Sequence, residues 1–167
     1  YMISSWTGPF KAKYDFTFSE NYFEIKGTLR NKHSHFINGM DQLEFDPEKN
    51  LYLVSYLITK SIEKNSKSIK NYVRNILNLL NDNYEAFVMF NSCLYEYGYN
   101  PLDEDDYECF DFQEILVYEV NDNFPKLIPS MLVNSLSERI SKVNYKVDLD
   151  GLKSMKIDQL KLGNYCF

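Results

Sequence analysis

The sequence is poor in the residues that build specialised sites. Its three cysteines, Cys93, Cys109 and Cys166, show no metal-ligand spacing and cannot all pair. They read as buried or incidental thiols in a reducing compartment rather than as a disulfide framework. No apolar run approaches the roughly 18 residues that a membrane span needs, and no signal-peptide pattern opens the chain, so a cytoplasmic protein with no membrane partner is expected. No nucleophile elbow, phosphate-binding loop or dinucleotide fingerprint is present. The two histidines, His33 and His35, lack a third partner for a zinc site and read as solvated or phosphate-contacting. Basic charge is also short: 18 Lys and Arg face 24 Asp and Glu, a net charge of −6. That balance argues against a generic nucleic-acid binder, which needs a basic footprint.

What is present is ordinary globular material. Apolar residues make up 44% and charged residues 25% of the chain, enough for one domain with a real core. The 14 Tyr and 12 Phe are spread along the chain, which favours core and strand surfaces over a stacking platform. Charge is unevenly placed. Lys11, Lys13, Lys26, Arg30 and Lys32 cluster early, against Asp15, Glu20 and Glu24, whereas the run LDEDDYE at 102–108 reads as a solvated acidic loop.

KAKYDFTF and NYFEIKGTL have the aromatic and β-branched content of strands, and HSHFIN reads as a short third strand before the Asn38-Gly39 turn. MDQLEF has the length of one helical turn. NLYLVSYLIT is a nearly continuous apolar run, as in a strand buried on both faces. SKSIKNYVRNILNLL carries Ile69, Tyr72, Val73, Ile76, Leu77 and Leu80 at helical spacing behind capping serines. NYEAFVMFNSCLYEYG predicts a second helix with Phe87, Phe90, Leu94 and Tyr97 on one stripe and Gly98 closing it. FDFQEILVYEV and the alternating VNYKVDL predict two later strands. The class is therefore α/β or α+β.

The hairpin YDFTFSENYFEIKG carries the chemistry. A short even-numbered loop sets Phe18 opposite Phe23, Thr17 opposite Glu24 and Asp15 opposite Lys26. Opposed residues share a face, so Asp15, Thr17, Glu24 and Lys26 line one side and Phe16, Phe18, Phe23 and Ile25 the other. Two carboxylates beside an amine suit divalent-metal phosphodiester hydrolysis. Mg²⁺ takes hard oxygen ligands from one or two carboxylates, here Asp15, Glu24 and the Ile25 backbone carbonyl. Lys26 would position water or neutralise charge on the phosphate. The same residues serve equally as a surface cross-strand pair beside a solvated Glu, worth a few tenths of a kcal/mol.

The arrangement W-x-G-P, then Asp15-Phe16, then F-E-I-K-G-T resembles the PD-(D/E)XK nuclease superfamily, with Asp15, Glu24 and Lys26 in its three motif positions. Asp41-Gln42-Leu43, LYLVSYLI, SIKNYVRNILNLL, LYEYGY, EVNDNFPKLIP and VNYKVDLDGL extend the likeness over roughly residues 6 to 158. They are similar to a bacterial branch whose members tend to be encoded beside DNA methyltransferases and ATPases of restriction or phage-defence systems. The position before Asp15 is Tyr14 rather than the motif's Pro. The resemblance implies a restriction-endonuclease-like mixed sheet flanked by helices, with a C-terminal β/α extension. A single domain is expected over 1–167, with a catalytic sheet over about 6–60 and a helical pair and C-terminal strands over about 61–167. The core helix with which that family begins is expected to be missing, since the sequence enters SSWTGPF directly from Tyr1. The implied activity is a Mg²⁺- or Mn²⁺-dependent DNA endonuclease. Gln42 stands at a position where such nucleases often place a polar residue beside the active site. Thr28 would reach phosphate, and Lys11, Lys13, Arg30 and Lys32 would form a DNA-facing rim. A partner ATPase, a methyltransferase and a homodimer are the associated expectations. The alternative is a catalytically silent nuclease-like scaffold in the same kind of complex.

Overall fold

Alternating aromatic and aliphatic residues make Asn21–Thr28 a strand, β2, and its register with its neighbours places every residue of interest. The structure, a computed structural model, describes residues 2–61, 67–103, 108–132, 140 and 142–160. Two 3-10 turns, Ile3–Ser5 and Gly8–Phe10, precede β1 (Phe16–Thr17) and β2. β3 (Ser34–Asn38), β4 (Asn50–Lys60), α1 (Ile69–Leu79), α2 (Tyr84–Glu96), β5 (Phe110–Glu119) and β6 (Asn144–Asp148) follow. The main sheet has the order β1-β2-β4-β5, and β3 and β6 form a second, antiparallel pair. β2 and β4 run parallel, while β1 and β5 pair antiparallel on either side, so the main sheet is mixed. A parallel pair needs a crossover, and here the crossover carries β3 into the second layer.

Both faces of the main sheet are buried. Phe18, Phe23, Val54 and Val117 form one core, with Phe16, Ile25, Tyr52 and Tyr56 packed against it. On the other face Leu51, Leu53 and Tyr118 pack with Ile37, Leu43, Val147 and Leu149 of the β3–β6 layer. β4 feeds both cores, which explains its continuous apolar sequence. Leu51 and Leu53, at 1% and 0% exposure, each contribute on the order of 2–3 kcal/mol by burial. That outweighs any surface ion pair, so the apolar layers set the register. Ile76, Leu80, Ala86 and Phe90 of the helical pair face the first core across an apolar cleft of about 550 Å³.

The helix ends follow their sequences. Ser68 and Asn71 form a capping box at α1. The Asn83 side chain accepts from the Ala86 amide at 3.0 Å at α2. Gly98, at φ +79°, ends α2, with Gly98 N–H bonded to Tyr95 O and Tyr99 N–H to Leu94 O.

Several details differ from expectation. Phe16, not Phe18, stands opposite Phe23, and Thr17 opposite Tyr22. The turn closes tightly over Ser19 and Glu20, with Phe18 N–H bonded to Asn21 O at 2.8 Å. A slip of two residues preserves faces, so Phe16, Phe18, Phe23 and Ile25 still share one core. Only Phe16–Thr17 of KAKYDFTF is strand; the residues before it bend over the 3-10 turns. MDQLEF forms bends and a turn rather than a helical turn. On α2 the buried residues are Ala86, Phe90 and Cys93, while Phe87 and Tyr97 are 37% and 57% exposed. The helix is apolar nearly all round, so periodicity alone could not choose its inner face. After α2 the described residues hold β5, β6 and 3-10 turns but no further α-helix. Residues 104–107 of the acidic loop, and Cys166, lie outside the described residues. No helix among the described residues is long and apolar enough to cross a membrane.

Candidate active site

Glu24 and Lys26 are two apart on β2 and therefore point to one side of the sheet. The chain preceding β1 brings Asp15 alongside them. Its backbone oxygen accepts from the Thr7 and Gly8 amides at 2.8 and 2.9 Å, and its carboxylate Oδ2 accepts from the Ile25 amide at 2.8 Å. Gly8 is required by closeness, because a β-carbon there would stand 2.6 Å from Asp15 Oδ1 and 3.2 Å from the Tyr97 hydroxyl oxygen.

Glu24 is 3% exposed. Lys26 Nζ lies 2.7 Å from Glu24 Oε1, and Gln42 Nε2 donates to the same oxygen at 2.8 Å. Gln42 Oε1 accepts in turn from Lys26 Nζ at 3.2 Å and from the Asn38 amide at 3.1 Å. Glu24, Lys26 and Gln42 thus form a closed ring of hydrogen bonds. Burial pushes the Glu24 carboxyl up to about 7; Lys26 opposes the shift, and the neighbouring Asp15 charge adds to it. A desolvated carboxylate beside another is short of positive charge even with one lysine attached.

The donor set fits a hard divalent cation. Asp15 and Glu24 carry the carboxylate oxygens that Mg²⁺ or Mn²⁺ takes as ligands; no cluster of three or more His, Cys, Asp or Glu able to hold a metal occurs among the described residues. The amide and carbonyl of one strand residue point to the same neighbour. The Ile25 N–H meets Asp15, just outside the two-residue β1. The Ile25 carbonyl is therefore directed to the same side.

The remaining expected residues are more dispersed. Thr28 is buried, and its hydroxyl accepts from the Arg30 amide at 3.2 Å, so it is committed locally. Lys13 donates to Glu44 O at 2.8 Å, and Lys32 is ion-paired with Asp148. Lys11 and Arg30 are exposed and make no ion pair among the described residues.

Two groups escaped the sequence reading. Tyr97, expected to pack in a helical stripe, instead stacks on Trp6 at 5.5 Å and 19° and directs its hydroxyl to Asp15. Its only sequence signal was its place at a helix end, just before Gly98. The second group is a buried histidine cluster. His33 Nδ1 and His35 Nε2 lie 2.6 and 2.5 Å from Ser55 Oγ, and His33 Nε2 lies 3.1 Å from Glu114 Oε2. Both histidines are buried rather than solvated, at 5% and 4% exposure. The spacing of two showed that they share a face, but nothing local pointed to Ser55. A serine has one proton, so its hydroxyl donates to one ring and accepts from the other. Burial, then His33 and Lys26, lower the His35 pKa to about 4, which keeps that ring neutral. Ser55 is 0% exposed and cannot serve as a nucleophile for an external substrate, despite the triad-like chain from Ser55 through His33 to Glu114.

No curated protein and no solved structure matches the chain. A family model described as "Putative PD-(D/E)XK family member, (DUF4420)" matches residues 2–150, a span that contains Asp15, Glu24, Lys26 and Gln42. The chain belongs to that family, and its mixed sheet, with the two α-helices among the described residues, is compatible with a restriction-endonuclease-like fold.

Proposed function

We propose that this protein is a metal-dependent DNA endonuclease whose active centre is Asp15, Glu24 and Lys26. The observation that carries the reading is the burial of Glu24, at 3% exposure, between Asp15 and Lys26 on one sheet face. A merely structural surface pair would not desolvate a carboxylate in this way. Asp15, Glu24 and the Ile25 carbonyl would hold Mg²⁺ or Mn²⁺. Such an ion supplies Lewis-acid polarisation of the phosphate and a water of lowered pKa. Lys26 sits where an ammonium neutralises charge building on the phosphate. Gln42 holds Glu24 and Lys26 in a fixed relation, and Lys11 and Arg30 provide cations at the rim. Because the net charge is −6, DNA affinity would depend on partners. An ATPase and a DNA methyltransferase of a restriction or phage-defence system are of the expected kind.

One observation favours a second reading, a silent nuclease-like scaffold. Lys26 and Gln42 both converge on Glu24 Oε1, so the carboxylate has partners without a cation. Plasmid cleavage in Mg²⁺ or Mn²⁺, by the full-length protein together with the proteins encoded beside it, separates the two. The nuclease reading expects cleavage that Glu24→Gln abolishes. Equal cleavage by the variant, or none by the wild type, leaves the scaffold.

A further inference from the structure

Tyr97, the C-cap of α2, is placed against the Asp15 carboxylate, and its position is strongly determined. Its amide closes α2 onto Cys93 O, and Gly98 turns the chain away immediately afterwards at φ +79°. Its ring stacks on Trp6, which stacks in turn on Phe16 at 6.3 Å and 15°. The segment that carries Trp6 also holds the Asp15 backbone, through the Thr7 and Gly8 amides. The Tyr97 hydroxyl hydrogen-bonds the Asp15 carboxylate, and Asp15 Oδ1 and the hydroxyl oxygen lie 2.6 and 3.2 Å from where a β-carbon on Gly8 would stand. Ring, backbone and missing side chain thus converge on one contact.

We propose that Tyr97 is a positioning residue of the metal centre, its hydroxyl donating to the Asp15 carboxylate and fixing the orientation in which Asp15 and Glu24 share a cation. The inference rests on the nuclease reading. Asp15 Oδ2 is already held by the Ile25 amide, so a phenol at the opposite end of the carboxylate locks its rotation. A carboxylate has about four lone-pair sites, so two such bonds leave acceptor capacity for a cation. A phenol is protonated at neutral pH, so the hydroxyl acts as a donor. Partners that orient a ligating carboxylate typically set metal affinity by about 10- to 100-fold. A tyrosine present only for packing would set none of it.

Isothermal titration of the full-length chain with MnCl₂, alongside its thermal midpoint, tests this. Tyr97→Phe keeps the ring on Trp6 and should weaken Mn²⁺ binding by about tenfold while leaving the midpoint nearly unchanged. Gly8→Ala crowds a methyl against both the Asp15 carboxylate and the phenol oxygen and should weaken binding similarly. The double variant should lose little more than either single one, because both changes break one contact. Wild-type affinity in Tyr97→Phe overturns the proposal and leaves the nuclease reading standing. A wild type that binds no Mn²⁺ and cuts no DNA overturns the nuclease reading, and this inference with it.

Discussion

Two buried polar clusters lie side by side on one face of the main sheet, and they solve the problem of burial differently. Ser55 is the cross-strand partner of Lys26, so Glu24–Lys26–Gln42 and His33–Ser55–His35 are neighbours. The histidine cluster is satisfied by its own hydrogen bonds: one hydroxyl lies between two rings, and Glu114 bonds His33 at the far end. The carboxylate cluster has two acids against one lysine, and Glu24 is left with a carboxyl pushed up to about 7. A satisfied cluster specifies a structure; a cluster short of positive charge awaits a ligand. On the proposed reading the histidines serve architecture and the carboxylates chemistry.

The largest effect should come from the carboxylate side. Glu24→Gln should reduce metal-dependent cleavage by at least about a thousandfold, roughly 4 kcal/mol of transition-state stabilisation. Lys26→Ala should do the same, but with a second consequence. Lys26 is only 16% exposed, so it is no freely solvated lysine, and its loss strands a buried carboxylate. The variant should lose more stability at pH 8 than at pH 5, where Glu24 takes up a proton instead. Urea melts at both pH values check this. An equal loss at both would mean that the pair is not energetically buried.

Ser55→Ala should reverse the pattern. It strands His33 Nδ1 and His35 Nε2 at sites 5% and 4% exposed, which at about 1–3 kcal/mol per unsatisfied group costs roughly 2–6 kcal/mol of stability. Mn²⁺ affinity and cleavage should stay near wild type at a temperature where the variant is folded. Lost cleavage with intact stability would move the histidine cluster into the catalytic machinery and break the comparison.

The two clusters should also respond to pH with opposite sign. The folded pKa of His35 is lowered from 6.5 to about 4, so its contribution is present above pH 6.5 and is lost as pH falls toward 4. Glu24 is raised from 4.5 to about 7, so its contribution is present below pH 4.5 and is lost as pH rises toward 7. At about 1.36 kcal/mol per pKa unit each effect is on the order of 3 kcal/mol at most, and between pH 4.5 and 6.5 they oppose each other. Wild-type stability should therefore be flat in that window. Glu24→Gln should make it rise with pH, and His35→Asn should make it fall. Parallel slopes in all three proteins would remove the electrostatic distinction between the clusters.

How much of this was legible in the sequence follows from the range of each signal. The parity of β2 depends only on neighbouring residues, and it placed Phe23 and Ile25 opposite Glu24 and Lys26 even though the hairpin slipped by two. The buried run of β4, the Ser68 cap and the Gly98 stop are equally local. The exact pairing was not legible, because it hung on whether Ser19 and Glu20 alone made the turn. Ser55 and Glu114 lie 22 and 81 residues from His33, and no periodicity links them to it. Tyr97 was hidden for a different reason: α2 is apolar on most of its surface, so its last tyrosine looked like one more packing residue.

The smallest expected effect concerns the cations around each cluster. Lys32, one residue from His33, is committed to Asp148, and Lys13 is held by Glu44. Lys11, three residues beyond Gly8, and Arg30, two beyond the end of β2, are exposed without such pairing among the described residues. If DNA approaches the carboxylates, the uncommitted pair should carry the phosphate contacts. Each contact contributes about 0.9 to the slope of log affinity against log salt. Lys11→Glu with Arg30→Glu should therefore flatten that slope by one to two, in roughly that proportion, and weaken binding across sequences. Lys32→Glu should change the slope little, because its charge is already neutralised by Asp148. Fluorescence anisotropy of a labelled duplex over a KCl series reads both. A loss as large from Lys32 as from the uncommitted pair would place the footprint over the histidine side, and the division between a structural and a working cluster would have to be redrawn.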